Sequence, residues 1–346
     1  MNTTVEVLPN TTHQTAVLSE ALDLNSLPLS QARLWMNRVV VPLIVVLGLL
    51  GNTMILATCR RLHARRSSMD QYLMVIAVTD SLVLLSTSLT RWLELVAGVS
   101  LTESHDALCK MMNLTYNASG AITAWLLVAM TTQRAMSVVW PHRVSVLCTS
   151  RRSWQVIVMI VVFVTLLYSH LLYGVSLTSL GHSVVGTCTI TSLDYLTFVL
   201  NVWVYVDLVV TSFFPFAVLL LANTVLIWKL RSSAQHATDR LGADPSQQAS
   251  RSSEALSISL TVIALSLTFV VLTCPSMINN TVSVLYRTQG AISDTHQYAL
   301  NLFLESLFNV FVYLNHALNF YLYCLTGARF RKEFSKMVWV WRSNRG

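Results

Sequence analysis

Along the chain, apolar residues gather into seven long runs separated by short polar or basic stretches: about 36–59, 70–97, 110–137, 153–177, 196–229, 255–286 and 297–324. Each has the length, roughly 20 residues, that a helix needs to cross about 30 Å of hydrocarbon. Backbone groups that face lipid must be paired within the segment, so these spans are predicted to be helices. The pattern therefore predicts an all-α membrane protein, a seven-transmembrane-helix bundle. The organisation that follows is a tail over 1–35, a membrane domain over 36–326 and a short end segment over 327–346.

Polar positions inside the runs are few and regularly placed. In "LNHALNFYLYCLTGARFRKEF", residues 314–334, Asn315, Asn319 and Tyr323 recur every four residues before the chain turns basic. Four-residue spacing lines one face of a helix, and in a membrane such a face must meet protein or trapped water.

Composition agrees with this pattern: 54% of the 346 residues are hydrophobic and 11% charged. The net charge of +7 sharpens it, because the cations sit in short loops between spans. With the amino terminus outside, the inner loops and tail hold most of the 23 Lys and Arg, among them Arg60, Arg61, Arg143, Arg151, Lys229 and Lys332. The positive-inside rule thus predicts an extracellular amino terminus and a cytoplasmic carboxyl terminus, with the charge directed at the inner leaflet and not at nucleic acid. The first 35 residues show no basic region followed by an apolar one, so the first span is expected to act as an uncleaved anchor. Asn2 and Asn10 start N-x-T sequons in the tail and are candidate glycosylation sites; those at Asn113, Asn117 and Asn279 fall within spans, where chance explains them better. A Ser/Gln-rich linker is expected over 232–253.

Of the six cysteines, Cys59, Cys148, Cys274 and Cys324 fall at inner ends or within spans. Cys109 and Cys188 alone both face the oxidising side. A disulfide pinning the loop between spans four and five to span three is expected, against the alternative of two unpaired surface thiols.

A charge inside a span costs about 2.5–3.5 kcal/mol on insertion scales. Asp80 lies midway through span two, with Asn52, Thr123, Asn315 and Asn319 at similar depths in spans one, three and seven. A carboxylate, amide oxygens and a hydroxyl suit a hard cation, and a bound sodium ion at Asp80 is expected; the alternative is a hydrogen-bond network joining the helices. No other cofactor is implied.

These residues also carry a resemblance. "LGLLGNTMIL" around Asn52 is similar to a G-N motif and "IAVTD" around Asp80 to L-A-x-x-D. Arg134 follows Cys109 by 25 residues and Pro141 follows by seven more; Trp154, Pro215 and Pro275 sit in spans four, five and six. Asn319 and Tyr323 end an N-P-x-x-Y-like segment, and "ARFRKEF" looks like an amphipathic eighth helix. In this order and depth, residues 36–335 resemble a rhodopsin-like (class A) G protein-coupled receptor. The resemblance implies an extracellular ligand, a heterotrimeric G protein and the lipid bilayer as partners. It also implies a coupling switch of Arg134, Pro141, Phe269, Pro275, Asn319 and Tyr323. Three motifs depart from it: Gln133 stands where D-R-Y has its acid, Thr273 where C-W-x-P has tryptophan, and Phe320 where N-P-x-x-Y has proline.

Amine receptors of that family carry an aspartate where this chain has Tyr116, and opsins a lysine where it has Tyr313. The candidate ligand pocket comprises Arg91, Tyr116, Asp207, Glu305 and Asn309. At 1.5 Å per residue, Asp207 lies about 12 Å outward of Pro215, and Glu305 about 21 Å outward of Asn319. Carboxylates there suit a short basic peptide; Arg91 and Glu94, three residues apart, are expected either to pair or to join the pocket. "VVWPHRVSVLCTSRRSW" is further similar to the second inner loop of invertebrate neuropeptide receptors of the FMRFamide-receptor type. A small-molecule or chemosensory ligand is the alternative. A transporter would show inverted repeats, which are not evident. A membrane enzyme would cluster histidines or carboxylates, whereas the histidines are scattered. His316 in span seven is expected to bond between helices.

Overall fold

The computed structural model describes residues 27–61, 68–143, 148–179, 186–238, 245–288 and 295–343. Asn2 and Asn10 lie outside the described residues. Six helices are long and apolar enough to cross a membrane: α1 (Pro28–Arg61), α2 (Ser68–Ala97), α3 (Asp106–Val139), α4 (Ser150–Gly174), α5 (Leu193–Ser232) and α6 (Leu256–Ser283). Between α4 and α5 lie two strands, β1 (Val175–Ser179) and β2 (Gly186–Ile190). The seventh span is made of α7 (Thr295–Ala317) and α8 (Asn319–Thr326), and α9 (Ala328–Ser343) follows. Interior polar residues, among them Glu305, Asn315 and His316, make α7 less apolar than the other six.

Helix ends follow local chemistry. Pro28 opens α1 at a first-turn position, where its missing N–H costs nothing, so this helix starts upstream of the apolar run. Gly98 ends α2 with φ of 66°, a left-handed conformation that glycine adopts without strain. His105, Thr149 and Ser192 cap α3, α4 and α5 by accepting from a backbone N–H two or three residues on. Within the spans, serine and threonine hydroxyls turn back onto carbonyls one turn earlier, as at Thr53, Ser81, Thr131, Ser266 and Thr273. This satisfies hydroxyls that cannot reach water. Short π-helical turns interrupt α1 at Met36–Val40, α2 at Leu84–Leu89, and α5 at Val199–Trp203 and Val209–Phe213.

The burial pattern places the helices. Half of the most apolar window of α2, α3 and α6 is buried, against 17% for α4 and α5. Val158, Met159, Val162, Phe163 and Leu166 leave one face of α4 bare and apolar, a surface that lipid covers. Where α1 meets α7 and α8 only glycine fits: a Cβ on Gly48 would lie 2.8 Å from Ala317 Cβ, and one on Gly51 2.9 Å from Phe320 Cβ.

The seventh span is not one continuous helix. It breaks at Leu318, between α7 and α8. Phe320, which stands where the resembled motif has proline, instead packs its ring on Phe330 and Phe334 at centroid distances of 5.9 and 5.3 Å. That aromatic stack seats α9 against the bundle.

Candidate functional site

The β1–β2 hairpin sits over one end of the bundle and is tied to α3 twice. Antiparallel pairing sets Leu177 opposite Cys188. Cys188 is disulfide-bonded to Cys109 with a Cα–Cα distance of 5.7 Å. Beside it, the Asp106 carboxylate accepts from Leu177 N at 2.9 Å, Ser176 Oγ at 2.7 Å and Lys110 Nζ at 2.7 Å. The hairpin itself was not foreseen, although "VSLTS" and "GTCTI" alternate apolar and polar positions with the β-branched residues that favour strands. Asn113 and Asn117, the in-span sequons, spend their amide N–H groups on Cys109 O and Asn113 O along α3.

Two adjoining cavities lie beneath the hairpin. The wider, of about 550 Å3, is polar and is lined by Arg91, Glu94, Glu103, Glu305, Asn309 and Tyr313 among others. The deeper, of about 210 Å3, is lined by Asp207, Phe269, Thr273, Ser276 and His316 among others. Tyr116, Asn117 and Asn280 line both, so the two form one branched recess. Arg91 forms no ion pair with Glu94 or Glu305, and all three project into the wider branch.

Asp207 and Glu305 line different branches of this recess. Asp207 lines the deeper branch, away from Arg91 and Glu305, and its carboxylate accepts from Tyr168 OH. Tyr168 in turn meets Trp203 edge-on at 5.1 Å. Glu103, Tyr168 and Asn280 were missed because their roles depend on where the hairpin and the helices pack, which has no local signature.

Thr273 shapes the floor. It is buried, with Oγ1 donating to Phe269 O at 2.6 Å, and Phe269 meets Phe216 edge-on at 5.7 Å. With a small side chain at 273, the deeper branch reaches down to Val83 and His316. Pro275 lies two residues further along the same helix, inside α6.

Below the floor, Asp80 is fully buried. Its Oδ1 faces His316 Nδ1 at 2.7 Å and accepts from Thr123 Oγ1 at 3.0 Å; its Oδ2 accepts from Asn319 Nδ2 at 2.5 Å. Thr79 Oγ1 stands 2.7 Å from Thr123 Oγ1, and Asn52 Nδ2 donates to His316 O at 3.2 Å. The structure thus brings Asn52, Asp80, Thr123 and Asn319 into one network across α1, α2, α3, α7 and α8. Asn315 is the exception: buried on α7, it makes no bond to Asp80, and its neighbour His316 takes that place.

At the far end, Tyr323 is buried with its ring 5.6 Å from that of Phe330. Arg134 Nε donates to Ser259 Oγ on α6 at 2.9 Å. Gln133 does not act on Arg134. Its amide donates to Ser68 Oγ on α2 at 2.7 Å and its carbonyl accepts from Ser153 on α4 at 3.4 Å. Pro141 opens a short 3-10 turn after α3. Nearby, Ser257 Oγ donates to Thr326 O at 2.7 Å and accepts from Ala328 N at 2.8 Å, tying α6 to α8 and α9.

No curated protein matches the sequence. A family model described as 7 transmembrane receptor (rhodopsin family) matches residues 51–323. That range runs from Gly51, beside the Asp80 network, through the disulfide and the recess to Tyr323. The chain therefore belongs to the rhodopsin family of seven-transmembrane receptors and is a multi-pass membrane receptor, not an enzyme.

Proposed function

We propose that this receptor takes a short, positively charged extracellular peptide into the recess beneath the hairpin and passes the signal to a heterotrimeric G protein at the opposite end. The observation that carries this reading is the wider branch, where Glu94, Glu103 and Glu305 share a polar wall with Arg91, the one Lys or Arg among the described lining residues. A cationic ligand meets carboxylates there that have no ion-pair partner within 4 Å among the described residues. The branch opens beside Cys188, a position a peptide can enter without crossing lipid. In this reading the tail over 1–35 is extracellular, glycosylated at Asn2 and Asn10. The segment 327–346 is cytoplasmic, and the receptor sits in the plasma membrane, as the loop charges support. The second inner loop is similar to that of FMRFamide-type receptors, which makes amidated peptides the first library to try, but that loop faces the G protein and not the ligand.

The test is a library of amidated basic peptides applied to cells expressing the chain, read as guanine-nucleotide exchange on added G proteins. Exchange driven by a basic peptide, and weakened by Glu305→Lys, supports the reading. Activation only by neutral or acidic small molecules overturns the peptide assignment.

A further inference from the structure

A sodium ion at Asp80 is what the oxygen-rich residues of the spans suggest, but the groups that surround the carboxylate do not fit one. A hard cation needs lone pairs converging on it. Around Asp80 the neighbours present hydrogens instead. His316 Nδ1 lies 2.7 Å from Oδ1 and, facing a carboxylate, is the protonated ring nitrogen. Thr123 Oγ1 donates to the same oxygen at 3.0 Å and Asn319 Nδ2 to Oδ2 at 2.5 Å. A carboxylate has about four acceptor positions, and three are filled from protein. The His316 ring is enclosed, its side chain only 4% exposed, and Asn52 bonds the backbone carbonyl of the same residue.

We propose that His316 is a resident substitute for the ion: its ring N–H occupies the position a cation would take, so that the site is closed to sodium, and removing the ring opens it. With a serine at 316 the carboxylate loses one donor, the space of an imidazole is left beside it, and a hydroxyl oxygen is added. The network also holds a buried oxygen without a partner among the described residues, Asn52 Oδ1. Those are the components of an oxygen-lined cation site.

The experiment measures the thermal unfolding midpoint of the purified full-length protein in about 0.15 M NaCl and in KCl of equal ionic strength. Equal midpoints are expected for the native sequence. For His316→Ser, a midpoint higher in sodium by about 2 °C or more is expected, since a ligand that binds only the folded state stabilises it. That gain should vanish in the double variant His316→Ser/Asp80→Asn. A sodium-specific rise in the native protein that Asp80→Asn removes overturns the proposal, whether or not His316→Ser folds. A folded His316→Ser protein indifferent to sodium also overturns it. The assay uses neither peptide nor G protein, so its failure leaves the receptor reading standing, and failure of that reading leaves this one standing.

Discussion

Removing the Ser259 hydroxyl is expected to raise signalling in the absence of ligand. Arg134 Nε donates to Ser259 Oγ at 2.9 Å, and Ser259 is fully buried. The bond crosses from α3 to α6, so any separation of these helices to admit a G protein must break it. A hydrogen bond to a charged group contributes about 1.5–3 kcal/mol. Arg134 is only partly buried, which places this bond near the lower value. A difference of about 1.4 kcal/mol is a tenfold change in the ratio of two states. Ser257 still bonds Thr326 and Ala328, and Thr326 Oγ1 still bonds Thr261 Oγ1 at 2.9 Å, so α6 stays tied to α8. Ser259→Ala should therefore raise basal nucleotide exchange by up to about tenfold. The assay is ligand-free exchange on added G proteins, normalised to receptor at the surface.

Gln133→Glu makes the informative comparison. The amide of Gln133 faces Ser68 and Ser153, not Arg134. A glutamate there is held by the same two hydroxyls and acts on Arg134 only through space. It should lower basal exchange, and by less than Ser259→Ala raises it. Basal exchange unchanged or reduced in Ser259→Ala would refute the view that this bond restrains the receptor.

Cys109→Ser and Cys188→Ser should each cut surface expression and ligand response, because the hairpin loses its covalent tie. Asp106→Asn should do so more weakly, since it removes charge but keeps an oxygen for Leu177 N and Ser176 Oγ, and flow cytometry ranks the three variants. Glu305→Lys turns an attraction in the wider branch into a repulsion and should weaken a basic peptide by one or more kcal/mol, about fivefold or more in dose–response midpoint. An unchanged midpoint places the ligand's charge elsewhere.

The seven spans were legible because lipid imposes one strong rule on length and composition, and the disulfide because topology left a single pair of cysteines on one side. Asp80, Thr123 and Asn319 were legible as a set because a buried charge must find partners. The identity of the fourth partner was not. Residues three apart share a helix face as well as residues four apart, so spacing alone could not say whether Asn315 or His316 would join Asn319 at Asp80; the structure places His316 there. The hairpin and the pairing of Tyr168 with Asp207 escaped notice for different reasons. The strands of the hairpin are five residues each, a local alternation too short to stand out beside the long apolar runs. Tyr168 and Asp207 are 39 residues apart, and no local pattern marks their contact.

Thr273 connects the recess to this network, and enlarging it should separate the two. Phe269, Thr273 and His316 line the floor of the deeper branch, and the other side of the His316 ring bonds Asp80. A ligand group that reaches the floor is thus one side chain from the carboxylate. In Thr273→Trp the ring must occupy part of a cavity of about 210 Å3, covering His316 while the Asp80 bonds stay in place. Filling a cavity is tolerated better than overpacking a dense core, where about 1–3 kcal/mol is lost. The unfolding midpoint should therefore move little, while a ligand whose response depends on the floor loses maximal exchange. A ligand held only in the wider branch by Glu305 should keep its binding and its midpoint of response. Unchanged maximal exchange in a folded Thr273→Trp receptor, for every peptide that activates the native one, would show that the floor is not where the signal enters.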